Sequence, residues 1–328
     1  MNGRRANWAF LITIVCYIGL AYVLALYFPA VGESLLWGNL LCELVVLTPI
    51  FLFTVFSKEK LSTFLTFRRI KFRSVLMVAL FTFLTIPTLT LLNLISQLWV
   101  RNEVAAMMEG QSQTSFGLLY LSVGVIAPLL EEIACRGFFY HSYRKSASAL
   151  SAMLLSALVF ALVHMNFNQA GYAFVVGVLS VLLLEATQSL WSGIIYHGLI
   201  NGSQAFLMMG VLRDNPQAYS EQAALITSDF LLYGIGVYLV LAAVTLPLSW
   251  AVLVWLEGNE AGHGALSGIW RERAALAGEG DFSPAHIKKD KVFTLPLMLA
   301  VILSIGVMTG LVSRLVLAAV TYFGISFP

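Results

Sequence analysis

Two adjacent carboxylates and a guanidinium, Glu131, Glu132 and Arg136, stand in a run otherwise built for oil, APLLEEIACRGFFY. Further along come His164 in FALVHMN, and His197 with Asn201 in IIYHGLINGS. Ionisable groups inside apolar spans are costly and normally face a bundle interior or a wet cavity. A carboxylate and an imidazole can take a proton from water, while an imidazole N–H and an amide can donate to a developing oxyanion. The set suits hydrolysis of a carbonyl compound by an activated water.

Two other readings use the same residues. Glu131, His164 and His197 make a possible zinc donor set with an open fourth position, although no HExxH helix is present and Asn201 has a clear task only without the metal. A non-catalytic membrane protein, conferring bacteriocin immunity or assisting transport, would need only a polar pocket. Glutamine at position 131 separates that reading from an enzyme.

Helical spacing sorts the groups. Glu132 and Arg136 are four apart, so they stack on one face and can pair. Glu131 is rotated by about 100° from its neighbour and points at another part of the bundle, which leaves it available as a general base. His197 and Asn201 share a face, each followed by a glycine, Gly198 or Gly202, that permits close helix approach. Phe160 lies one turn below His164. Taken singly, each has a plainer reading: an ion pair fixing register, a hydrogen-bonded core histidine, an asparagine bound to a neighbouring helix. Together on three helices, a purely structural account is the weaker one.

Glu43, Glu185 and Arg314 are also intramembrane but stand alone in the sequence. Glu185 is near enough to a span end to reach headgroups, and Glu43 suggests no more than a cavity wall. His141 reads as interfacial belt with Phe139, Tyr140 and Tyr143, and His263 and His286 as solvated. Cys16, Cys42 and Cys135 show no CxxC pairing and read as apolar filler.

The elements that must hold these groups are transmembrane helices. Of the 328 residues, 59% are hydrophobic and only 11% charged, against about a quarter charged in soluble domains. Apolar runs of about 20 residues recur, as bilayer-spanning helices require. The expected fold is all-α, a polytopic bundle of about nine spans near 8–28, 35–56, 74–98, 116–143, 149–165, 168–187, 190–210, 230–256 and 292–323. The first run is too long for a secretory h-region. With the N-terminus cytoplasmic, the inner connectors hold Arg4, Arg5, the cluster from Lys58 to Arg73, Arg144, Lys145, Arg271, Arg273, Lys288, Lys289 and Lys291. The outer ones receive only Arg101 and Arg213, as the positive-inside rule demands. The connector SKEKLSTFLTFRRIKFR is expected either to lie flat on anionic lipid or to serve as a topology signal with no further role. A net charge of +2 gives no electrostatic footprint for nucleic acid. Three stretches follow: N-terminal helices 1–115, a core 116–210, and C-terminal helices 211–328 with the loop 257–291.

EEIACR fits EExxxR, FALVH fits FxxxH and HGLIN fits HxxxN, in order and at equal intervals from Glu131 to His164 and from His164 to His197. On these motifs, over about residues 116–210, the chain resembles the CPBP family, the Abi or type II CAAX prenyl endopeptidase-like intramembrane proteases. The resemblance implies that Glu131 and His164 activate a water and that His197 and Asn201 donate to the oxyanion. It further implies that Glu132 and Arg136, with Phe160, support the site or hold a substrate's terminal carboxylate. No cofactor or metal is implied. The implied partners are membrane lipids and a membrane-associated or lipidated peptide, such as a prenylated CAAX tail. The cavity is expected to open toward the cytoplasm, in a bacterial plasma membrane or, alternatively, an endoplasmic reticulum membrane. One mismatch stands out. On ideal helices Glu131 and His164 lie roughly 18 and 22 Å from their inner ends but His197 only about 10 Å, so a boundary must shift or a span must tilt.

Overall fold

A computed structural model describes residues 2–57, 60, 62, 64–109, 114–215, 217, 218, 221, 227–276 and 292–323. Lys58, His286, Lys288, Lys289 and Lys291 lie outside the described residues. Those described form helices and connectors, with no strand among them. In chain order they are α1 (Gly3–Tyr27), α2 (Leu35–Ser57), α3 (Phe72–Ser96), α4 (Phe116–Arg144), α5 (Ala149–Val163), α6 (Phe167–Thr187), α7 (Leu190–Asp214), α8 (Ser228–Asn259), α9 (Ala265–Leu276), α10 (Leu295–Met308) and α11 (Leu311–Phe323). The protein is an all-α integral membrane protein of several spans.

Helices occupy all nine of the expected stretches, but they do not qualify equally as spans. Six are long and apolar enough to cross a bilayer: α1, α2, α3, α4, α6 and α8. A seventh is the pair α10 and α11 taken together, bent by 84° where Gly310 adopts φ 68°. The helix α5 has only 15 residues, short of the roughly 20 a crossing needs. The helix α7 is long enough, but His197, Asn201 and Gln204 make it too polar to qualify by composition. The helix α5 is almost wholly buried among its neighbours, whereas α7 leaves Phe206, Leu207 and Val211 exposed toward its C-terminal end.

Burial separates interior from rim. In its most apolar stretch α6 is 61% buried, against 22% for α1 and α8, so α6 is an interior helix and the other two face the bilayer. Polar side chains start the interior helices by accepting from otherwise unpaired backbone N–H groups. Ser148 caps α5, Asn166 caps α6 and Ser189 caps α7.

Connectors expected on one side do gather at one end of the bundle. Gly3 N donates to Ser146 Oγ, and Lys71 N and Ser74 Oγ both donate to Glu260. Arg144 pairs with Glu272 at 3.2 Å, and the other oxygen of Glu272 accepts from Ala149 N at the start of α5. The basic connector is anchored to the bundle at one aromatic residue. Arg68, Arg69, Lys71 and Arg73 are exposed, but Phe64 is buried and packs on Phe138 of α4. The backbone carbonyls of Thr66 and Arg68 accept from Leu190 N and Ser189 Oγ. Phe64 anchors this segment in the bundle, while Phe67 and Phe72 stay exposed with its charges.

That anchoring resolves the depth mismatch. The turn between α6 and α7 lies beneath the connector, with Ser189 and Leu190 buried, so α7 starts below the surface. His197 is therefore deeper than its distance from the helix start suggests.

Candidate active site

The helix α4 carries both acids and is not wound evenly. Residues Leu121–Ile126 and Ile133–Tyr140 are π-helical, flanking the α-turn Ala127–Glu132 that bears Glu131 and Glu132. Such bulges loosen the backbone ladder and recur at functional sites. Carbonyls in the second bulge find side-chain partners: Ser156 Oγ donates to Cys135 O at 2.9 Å and His141 Nδ1 to Arg136 O at 2.7 Å. His141 therefore props the bulge from within α4.

Glu132 and Arg136 pair at 3.0 Å, both essentially without solvent exposure. The guanidinium also donates to Val176 O at 3.3 Å and lies over the Phe160 ring, 4.4 Å from its centroid. A fully buried charge pair needs such additional partners to offset desolvation.

His197 joins the two acids. Its Nδ1 lies 3.1 Å from Glu132 Oε1 and its Nε2 lies 3.4 Å from Glu131 Oε2. The two glutamates leave the helix in different directions, as spacing requires, yet they meet the same imidazole on opposite edges. A carboxylate only accepts. With Nδ1–H donating to Glu132, Nε2 is the ring nitrogen turned toward Glu131. Room for this comes from Gly193, one turn before His197. A Cβ there would stand 2.7 Å from Glu132 Oε2.

His164 caps the C-terminal end of α5, next to Met165 in a left-handed turn. Its Nδ1 donates to Phe160 O at 2.7 Å, which fixes the tautomer of the neutral ring and leaves Nε2 as an acceptor. The Phe160 ring stands edge-on to both imidazoles, 4.9 Å from His164 and 5.4 Å from His197 between centroids. It is the wall that α5 supplies to the site.

Asn201 lies one turn beyond His197 on the same face of α7, half-buried, with no hydrogen bond to a described residue. The glycines beside His197 and Asn201 make the helix contact. Added Cβ atoms would meet Gly124 O of α4 from Gly198 at 3.0 Å, and the Tyr120 hydroxyl from Gly202 at 2.9 Å. The structure thus brings Glu131, Glu132, Arg136, Phe160 and His197 into direct contact, holds His164 against Phe160, and places Asn201 next along α7.

Glu43 is the group that sequence reasoning left as a mere wall. It projects from α2 and is only 4% exposed, on a helix whose Asn39 donates to Ser122 of α4. The only signal in the sequence is an acid alone in an apolar run. Glu185 is not solitary either, since Tyr140 Oη donates to it at 2.6 Å. Among the described residues, no three His, Cys, Asp or Glu side chains converge on a point where a metal ion could sit. The donor set Glu131, His164 and His197 is not assembled for zinc in this arrangement. An apolar groove of about 300 Å³ between α1 and α2, lined by Ile12, Leu44 and Phe53 among others, contains none of the site residues.

Residues 113–203 match the family model described as type II CAAX prenyl endopeptidase, Rce1-like. Over this stretch the chain is similar to that family. No curated protein and no solved structure matches the chain. The Rce1-like segment contains all seven residues of the EExxxR, FxxxH and HxxxN motifs named above. Glu43 and the connector that buries the α6–α7 turn lie outside it.

Proposed function

We propose that this protein is an intramembrane endopeptidase in which Glu131 and His164 activate a water for attack on a peptide carbonyl. The Rce1-like segment supports a CAAX-type protease. The observation that carries the finer reading is the lodging of His197 between Glu132 and Glu131, with Phe160 separating it from His164.

Glu131 and His164 Nε2 are the acceptors for the protons of the water. As the water oxygen bonds to the carbonyl carbon, Glu131 takes a proton and the carbonyl oxygen becomes an oxyanion. His197 and Asn201 donate to that oxyanion. The 3.4 Å separation of His197 Nε2 from Glu131 is long enough for an incoming oxygen to compete for its proton. When the C–N bond breaks, Glu131 returns the proton to the departing amine. Glu132 holds the imidazole through Nδ1, and Arg136 balances Glu132. Losing one oxyanion donor costs about 2.7–4 kcal/mol of transition-state stabilisation. No cofactor takes part.

The substrate class is a membrane-associated or lipidated peptide, because the site lies within a bundle of apolar helices. The test is reconstitution into liposomes with matched prenylated and unlipidated peptides, followed by mass spectrometry of the products. The reading requires cut ends that depend on His197 and Asn201. Intact peptides throughout, with folded protein, would leave the non-catalytic reading in its place.

A further inference from the structure

The site residues are exposed on one side only. The Glu131 side chain keeps 17% of its exposure while Glu132 keeps none. His164 and Asn201 are half-buried, whereas Arg136 and His197 are buried. The position of the half-buried groups along the bundle fixes which end they open to.

The basic connectors mark one end, where Arg144 pairs with Glu272 and Glu272 accepts from Ala149 N. Between the site and that end α4 is closed. Every residue from Ala134 to Tyr140 is buried, as are Ser142 and Tyr143 after them, and Phe64 of the connector packs on Phe138. Ser189 and Leu190 at the start of α7 are buried too. The hydroxyls of Thr187, Ser189 and Ser192 there are taken up by backbone carbonyls and by one another. No uncommitted polar group marks a path through this end.

His164 lies at the opposite end of α5. That helix starts at Ala149, beside Glu272, and reaches His164 about 22 Å away at the usual rise per residue. The chain turns there, at Met165 and Asn166, and α6 runs back to the connectors. The turn is tied to the far end of α3. Asn168 Nδ2 donates to Ser96 Oγ at 2.8 Å, and Ser96 is the last residue of a helix that begins at Phe72 among the connectors. Amide side chains with solvent exposure gather at this end: Asn93 and Gln97 on α3, Asn166 and Gln169 at the turn, Asn201 and Gln204 on α7. Amides are costly to bury in hydrocarbon, so their density marks a wet end of the bundle.

We infer that water and substrate reach Glu131 and His164 from the end of the bundle opposite the basic connectors, past these amides. The positive-inside rule makes that end extracytoplasmic, the reverse of the direction that the family resemblance implies. The inference rests on the reading of Glu131 and His164 as the water-activating residues, and it narrows the substrate class. The scissile bond belongs to a polypeptide presented on the outer side of the membrane, whose extended backbone the Asn and Gln side chains can hydrogen-bond.

The test uses right-side-out and inverted membrane vesicles from one expression host, holding the full-length protein. The probe is a charged, membrane-impermeant thiol reagent, and mass spectrometry assigns the labelled residue, so the native cysteines stay in place. Arg69→Cys, at an exposed position of the connector, should react only in inverted vesicles. Asn201→Cys should react in right-side-out vesicles and be protected in inverted ones, and this needs no substrate. Gln204→Cys, at an exposed position three residues on, should follow Asn201→Cys and serves in its place if that variant does not fold. Reaction of these two from the Arg69→Cys side, or from neither side, would overturn the inference. Membrane-impermeant peptides are then offered to the unaltered protein from each side in turn. Cleavage in right-side-out vesicles alone is expected, and cleavage in inverted vesicles alone would overturn the route while keeping the protease. If the cysteines react as expected and no peptide is cut from either side, the route stands and the protease reading falls.

Discussion

The Nδ1–H of His197 donates to Oε1 of Glu132 at 3.1 Å, across 65 residues of sequence and between two different helices. The bond fixes the ring plane and aims Nε2 at Glu131. It makes Glu132 an orienting group and leaves its neighbour for chemistry, a division of labour between adjacent identical residues.

Arg136 is the counter-charge for that arrangement, and its removal leaves Glu132 buried and short of positive charge. Arg136→Leu should destabilise the protein by about 3–5 kcal/mol, as expected when one member of a buried pair is deleted. The double variant Glu132→Gln, Arg136→Leu should recover part of the loss. Thermal melts in one detergent compare them. A single variant as stable as the wild type would contradict the pairing.

Gly193→Ala tests the fit around Glu132. The new Cβ would stand 2.7 Å from Oε2, and Arg136 and His197 hold that carboxylate where it is. Overpacking of this kind costs about 1–3 kcal/mol. Activity should fall further than stability, because the displaced carboxylate releases His197. The ratio of kcat to melting shift, against Gly171→Ala in open space, reads this out.

Phe160→Leu removes the ring that separates the two imidazoles and lies beneath Arg136. A desolvated cation–π contact is worth about 2 kcal/mol, so a loss of that size is expected in chemical denaturation. Cleavage should drop as His164 and His197 lose their spacing. An unchanged denaturation midpoint would show that the ring does not hold the guanidinium.

Much of this site was legible because it is local. The spacing from Glu132 to Arg136, and from His197 to Asn201, fixes a shared face whatever the rest of the fold does. The glycines after His197 and Asn201 likewise announced the close crossing with α4. What could not be read depends on contacts distant in sequence. The carbonyls of Thr66 and Arg68 bind the start of α7, and nothing in a basic amphipathic segment announces those contacts. The burial of Glu43 needs α2 placed against α4, which no periodicity supplies. The π-winding of 133–140 has no spacing signature either, and it brings His141 back onto Arg136 O. The short α5 reads as a span because its hydrophobic residues face other helices, and a one-dimensional scan cannot distinguish a neighbouring helix from lipid.

Metal removal separates the water-based mechanism from its zinc counterpart. Cleavage should persist after dialysis against a strong chelator, and purified protein should carry substoichiometric zinc by elemental analysis. Loss of activity in chelator, restored by added zinc, would favour Glu131, His164 and His197 as ligands brought together on loading.

The most direct measurement is the cleavage rate of Glu131→Gln in liposomes, on the peptide that the wild type cuts best. Glutamine keeps the shape of the side chain and its hydrogen bonding but cannot accept the water's proton. The rate should fall by about 10²–10⁴, the usual contribution of a positioned general base, with the melting temperature retained. A folded glutamine variant that cuts at the wild-type rate would contradict the assignment of Glu131 as the base.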